Sequence, residues 1–164
     1  MHTVARISSA ALAAAVLAVL ASTAVAQEAT SVWTCLPVGA SEQAPVGDRE
    51  GHLLTVSVGT CQITGGLLAG GVSTTTNIWQ WDGPKATLVA TTGVIRKPGA
   101  TVVYSNVTGN LANTMDGDKV TGLTGSGTHK FLLGTGSWAP LTGKSDTWTV
   151  KSAKVGYTVE SKFD

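Results

Sequence analysis

Charge is scarce in this chain: Asp, Glu, Lys and Arg make up 13% of its 164 residues, about half the share of an ordinary soluble domain. Eleven basic residues nearly balance ten acidic ones, for a formal net charge of +1. There is no basic field to hold nucleic acid, and no nucleic-acid partner is expected. With 43% apolar residues, the chain also lacks the low-hydrophobicity, high-charge profile of disorder. Cysteine is limited to two residues and histidine to three. None of them stands at zinc- or iron-ligand spacing, so no metal and no cofactor are expected. The pair Asp116 and Asp118 around Gly117 lacks the longer ligand series and closing Glu of a calcium loop and reads as a turn. A serine-nucleophile elbow is missing too, because Gly125-Ser126-Gly127 has the wrong spacing. Phosphate loops need a Gly-rich turn followed by Lys. Here Gly65-Gly66 and Gly70-Gly71 flank only Leu67, Leu68 and Ala69.

Long hydrophobic runs are confined to the first 26 residues. Met1–Arg6 forms a short segment with one positive charge, Arg6, and Ile7–Leu20 is apolar or small throughout. Small residues at Ala24 and Ala26 complete an A-x-A pattern. This predicts a secretory signal peptide over residues 1–26, cut between Ala26 and Gln27. The apolar stretch falls short of the about 20 residues that span a bilayer. Residues 27–164 then form a single domain with equal numbers of acidic and basic side chains, all of the glycine, and no stable membrane insertion. The expected location is the periplasm or the medium. In an oxidising compartment Cys35 and Cys61 are expected to pair, a bridge worth about 3 to 4 kcal/mol by loop entropy.

What remains is rich in Thr, Val and Gly, and its apolar residues recur with period two, the signature of half-buried strands. Eight strands are predicted: Val32–Leu36, Gly51–Cys61, Ser73–Asp82, Ala86–Ile95, Thr101–Thr108, Lys119–Leu123, His129–Leu133, and a long one from Asp146 to about Val159. Turns at Asp82-Gly83-Pro84, Lys97-Pro98-Gly99 and Asp116-Gly117-Asp118 separate several of them. Gly-rich stretches at Ile63–Val72 and Gly122–Gly127 are expected as loops over a barrel mouth. The economical arrangement is an all-β, eight-stranded antiparallel closed barrel, which leaves no exposed edge. A two-sheet β-sandwich fits the same spacing.

The most specific stretch is Gly127–Gly143, an apolar strand followed by Gly134-Thr135-Gly136, Trp138 and Gly143. It resembles the hairpin of the allene oxide cyclase/dirigent-like barrel superfamily, which includes small exported bacterial members of unknown role. The resemblance implies a barrel, with Gly134 and Gly136 at a corner and Trp138 capping one end. It also implies an isomerase or cyclase activity like that of the plant relatives, and self-association into a homo-oligomer. The chain departs from the plant enzymes in its low charge and its export signal, and no catalytic residue carries over.

The candidate ligand-binding residues are aromatic and amide side chains. Asn77, Trp79 and Trp81 share one strand face with Thr75, and Tyr104 shares a face with Asn106. Turned inward, they make an aromatic wall with a few hydrogen-bonding groups, suited to a small apolar or aromatic molecule. Turned outward, the tryptophans form a patch for a partner, and in a filled barrel they are core. His52 follows Glu50 closely enough to suggest a polar pair at a strand end. Three functions stay open on this reading: a small-molecule binder, an isomerase or cyclase, and a non-catalytic envelope module.

Overall fold

The computed structural model describes residues 30–163, so the predicted signal peptide lies outside the described residues. Nine strands form one antiparallel sheet: β1 Thr30–Pro37, β2 Glu42–Pro45, β3 His52–Thr64, β4 Val72–Asp82, β5 Lys85–Lys97, β6 Ala100–Asp116, β7 Lys119–Gly134, β8 Ser145–Ser152 and β9 Tyr157–Phe163. Each of β3 to β8 pairs with the next, and β1 pairs with both β9 and β3. That double pairing closes an eight-stranded antiparallel barrel. The extra strand, β2, lies along the free part of the β3 edge, pairing Glu42–Pro45 with Leu53–Val56.

The barrel has the expected number of strands, but two boundaries differ in ways that cancel. Lys119–Leu123 and His129–Leu133, read as separate strands joined by a glycine loop, are one continuous β7. Its Gly125 and Gly127 are not loop residues. A Cβ on Gly127 would lie 2.4 Å from Trp148 Cζ2, and one on Gly125 2.5 Å from Leu111 Cδ2. These glycines make room for large neighbours inside the wall. Conversely, the single long strand expected from Asp146 is two strands, β8 and β9, separated by a turn in which Ala153 N–H bonds Gly156 O at 3.1 Å. Closure therefore comes from β1 rather than from one long final strand. The strand predicted to end at Thr108 runs on to Asp116, and β2 has no counterpart in the expectation because its four residues are all exposed.

Closure is also covalent. Cys35 and Cys61 stand directly opposite each other in the β1–β3 ladder and form a disulfide. One end of the barrel is filled by a core of Ile63, Leu68, Ile95, Val102, Phe131 and Trp138, all buried. Leu68 is carried in by the Gly65–Gly71 connection, which covers this end as expected of the first glycine-rich stretch. Trp138 arrives on a short 3-10 helix, Gly136–Leu141. Its Nε1–H donates to Leu67 O at 2.9 Å, and the Lys97 ammonium lies 4.4 Å from its ring centre. Of the two glycines that introduce it, Gly136 has positive φ at 57°. Gly134 does not, and its lack of a Cβ instead admits the Trp138 carbonyl.

Two stability outcomes follow. Cys35→Ser with Cys61→Ser, or reduction of the bridge, is expected to lower unfolding free energy by about 3 to 4 kcal/mol, since the pair closes a loop of 26 residues. Guanidinium denaturation with and without reductant measures this. Gly93→Ala is expected to cost about 1 to 3 kcal/mol by overpacking, because the new methyl would lie 2.3 Å from Tyr104 Cζ in the wall. The same denaturation curves report it.

Candidate functional site

Above the filled end the barrel encloses a cavity of about 440 Å³, within the range of small-molecule sites. Its position follows from strand alternation. On β4, Thr75, Asn77, Trp79 and Trp81 all face inward, and on β6 Tyr104 and Asn106 do the same. The proposed ligand-binding residues thus line one cavity together. It widens toward a rim where Ser41, Gln43 and Gly83 are exposed. Trp79 packs with Trp148, Ala86 and Val150, while Trp81, Leu111 and Tyr157 flank them half-buried.

A belt of hydrogen bonds crosses the cavity wall. Ser73 Oγ meets Tyr104 OH at 3.0 Å, Tyr104 OH donates to Thr75 Oγ1 at 3.0 Å, and Thr75 Oγ1 donates to Thr92 O at 3.2 Å. A second group joins Thr91 Oγ1 to Asn77 Oδ1 at 2.9 Å and Asn106 Nδ2 to Thr91 Oγ1 at 3.4 Å. Asn106 Oδ1 is buried without a partner. The disulfide is part of the lining as well.

Sequence reading missed the central polar feature. His129 lies between two indoles, with ring centres 5.4 Å from Trp33 and 5.8 Å from Trp148, both stacked. The Tyr104 ring meets it edge-on at 5.0 Å. Its Nδ1 is 2.7 Å from Asp146 Oδ1, and Asp146 is fully buried. An ionised carboxylate only accepts, so Nδ1–H donates to it, and in the neutral imidazole Nε2 is left as an acceptor. Nε2 has no protein partner among the described residues, and His129 lines the cavity. The signal that would have found the pair is alternation through the glycines. Gly125, Gly127, His129 and Phe131 share one face of β7, and His129 stands opposite Asp146 in the β7–β8 ladder.

His52 behaves in the opposite way. Its expected partner, Glu50, is not used. Nδ1 pairs with Asp48, and Gln80 Nε2–H donates to His52 Nε2 at 2.7 Å, so both ring nitrogens are taken. Asp48 also meets Arg49, which reaches Asp82 at 2.6 Å. The His52 hydrogen bond holds the Asp48 carboxyl below the usual range, and the Arg49 hydrogen bond does the same for Asp82. The correction has a simple cause: Asp48 lies across the Gly51 turn (φ 73°) from His52, which folds the loop back over the ring. This cluster clamps the β3–β4 end of the rim with both His52 ring nitrogens engaged.

No family model, curated protein or solved structure matches this chain.

Burial pushes the Tyr104 phenol above its ordinary value near 10.0, with the hydrogen bonds to Ser73 and Thr75 acting the other way. Burial raises Tyr157 likewise. The folded state therefore keeps these protons longer than the unfolded chain. Stability is fully present below about pH 10 and falls as pH rises further, because the unfolded phenols ionise first. Tyr104→Phe is expected to flatten that alkaline fall while lowering stability at neutral pH by about 1 to 2 kcal/mol for the lost hydrogen bonds. Urea unfolding across a pH series checks both effects.

Proposed function

We propose that this chain is an exported, periplasmic or secreted barrel that holds a small apolar or aromatic molecule in its interior. The observation that carries this reading is the cavity itself, about 440 Å³ walled by Trp33, Trp79, Trp81, Tyr104 and Trp148 and free of Lys, Arg, Asp and Glu in its lining. Indole and phenol faces give apolar contact and ring stacking, while Asn77 and Asn106 supply a few orienting hydrogen bonds. The Cys35–Cys61 bridge and the A-x-A pattern support an oxidising compartment. A fold of this kind hosts many functions, so the site rather than the barrel supports the reading.

A second reading is an isomerase or cyclase of the allene oxide cyclase type, in keeping with the resemblance of Gly127–Gly143. It is favoured by one observation: the cavity is not wholly apolar, since His129 and the amide belt face it. Such a site works by positioning and by excluding water.

Native mass spectrometry of protein purified without denaturation is expected to reveal a bound organic species. With naphthalene as a probe, tryptophan emission is expected to change saturably, and Trp81→Ala to weaken binding about two- to tenfold. A chain that carries no adduct and shows no saturable response overturns the reading.

A further inference from the structure

The two histidines of the barrel wall differ in one respect that bears on chemistry. His52 has both ring nitrogens engaged. His129 has only Nδ1 engaged, by Asp146, and presents its other nitrogen at the floor of an aromatic cavity. Nothing in the folding of β7 requires a histidine there. Its flanking inward residues are Gly127 and Phe131, and an apolar ring would stack between Trp33 and Trp148 without the buried carboxylate behind it. Burying the Asp146 carboxylate is costly unless it is paired, and its Oδ2 has no partner among the described residues. A costly carboxylate that serves one imidazole is the arrangement of an oriented base: Asp146 fixes the ring and its tautomer and stabilises the imidazolium formed when Nε2 takes a proton.

A second group stands beside it. Asn106 is the direct ladder partner of His129, on the neighbouring strand and on the same inward face. Its Nδ2 makes only a long bond of 3.4 Å to Thr91, and its Oδ1 has no partner. Asn77, whose Oδ1 is occupied by Thr91, adds a further amide to the same wall. An acceptor on β7, an amide on the adjacent β6 and a second amide joined to it through Thr91 of β5 suit a carbonyl compound, whose oxygen needs donors and whose α-carbon needs a base.

Building on the proposed binding function, we propose that His129 is a catalytic general base for proton transfer at the carbon next to the carbonyl of a small ketone with an aromatic or apolar ring body. Nε2 removes the α-proton. The C–H electron pair becomes the carbon–carbon double bond of an enolate, and the negative charge on oxygen is met by amide N–H of Asn106 and Asn77. The imidazolium then returns its proton to the same carbon, or to the far end of a conjugated enolate. The outcome is hydrogen exchange in the first case and a shifted double bond in the second. No oxidant, reductant or metal enters, and the protein ends as it began. Asp146 is a positioning residue, acting through His129.

The experiment uses 2-tetralone as probe with the full exported chain in deuterated water. Two quantities are followed: binding, by tryptophan emission, and deuterium entry at the α-carbons, by proton NMR. Exchange is expected at least about a hundredfold faster than with free imidazole at the same concentration. His129→Gln is expected to keep the probe affinity within about twofold while removing that acceleration. Asp146→Asn is expected to lower the maximal exchange rate at unchanged half-saturation, which a merely structural role would not do. Asn106→Leu is expected to lower the rate about tenfold or more, and serves as a second variant on a different strand should His129→Gln fail to fold. Binding without accelerated exchange, or equal exchange by His129→Gln, overturns the proton-transfer inference and leaves the binding reading standing. Absence of any probe binding overturns both.

Discussion

The interior of a closed eight-stranded sheet has a fixed cross-section, and every inward side chain competes for it. This chain lines that space with six large rings, Trp33, Trp79, Trp81, Tyr104, Trp148 and Tyr157, and glycine makes room for several of them. Gly93 lies under the Tyr104 ring, and Gly127 under Trp148. Without these gaps each ring would collide with a Cβ on the strand beside it. The strand-interior glycines are therefore packing devices, whereas twelve of the 20 glycines, Gly136 and Gly156 among them, have positive φ and serve turns and connections. Thr and Val fill the outer positions, which need only β propensity. The low charge follows from the same economy, because a wall built for packing spends few positions on ions.

The two ends of the barrel divide the work. At the filled end, Leu68 and Trp138 are delivered by short connections and locked by a hydrogen bond between them through the Leu67 carbonyl. The open end carries an ionic clamp, Asp48, Arg49, His52 and Asp82, outside the wall. Between them lies a gradient of polarity, from the aliphatic plug, through the hydroxyl and amide belt, to the indoles near the rim.

How much of this was legible in the sequence depends on periodicity. Asn77, Trp79 and Trp81, and Tyr104 and Asn106, group onto shared faces in the sequence because they lie on stretches with clear alternation; which way those faces turn is open at that level, and in the structure they line the cavity. The failures cluster where glycine breaks the pattern. Gly122 to Gly127 looked like a loop because nothing local says that Trp148 and Leu111 stand over it. The His129–Asp146 pair was invisible for the same reason: both residues depend on the β7–β8 register, which passes through that stretch. Bulges add a further obstacle. The β6–β7 register shifts at three places, and each shift reverses the faces that simple counting would assign. The disulfide was legible because two cysteines in an oxidising compartment have only each other. What could not be read was that they sit at the seam of the barrel.

That position bears on the order in which the barrel assembles. The contact between β1 and β9 joins residues at opposite ends of the domain, the most distant closure in the chain, and such contacts form slowly because a long loop must first be ordered. Once Cys35 and Cys61 are joined, β1 is held on β3 across a far shorter stretch. The sheet from β1 through β8 then offers β9 two waiting edges, and the last strand docks into a slot instead of searching for one. The bridge thereby ties the seam on one side of β1 covalently, and leaves β9, Tyr157–Phe163, held between β1 and β8 by its ladders alone.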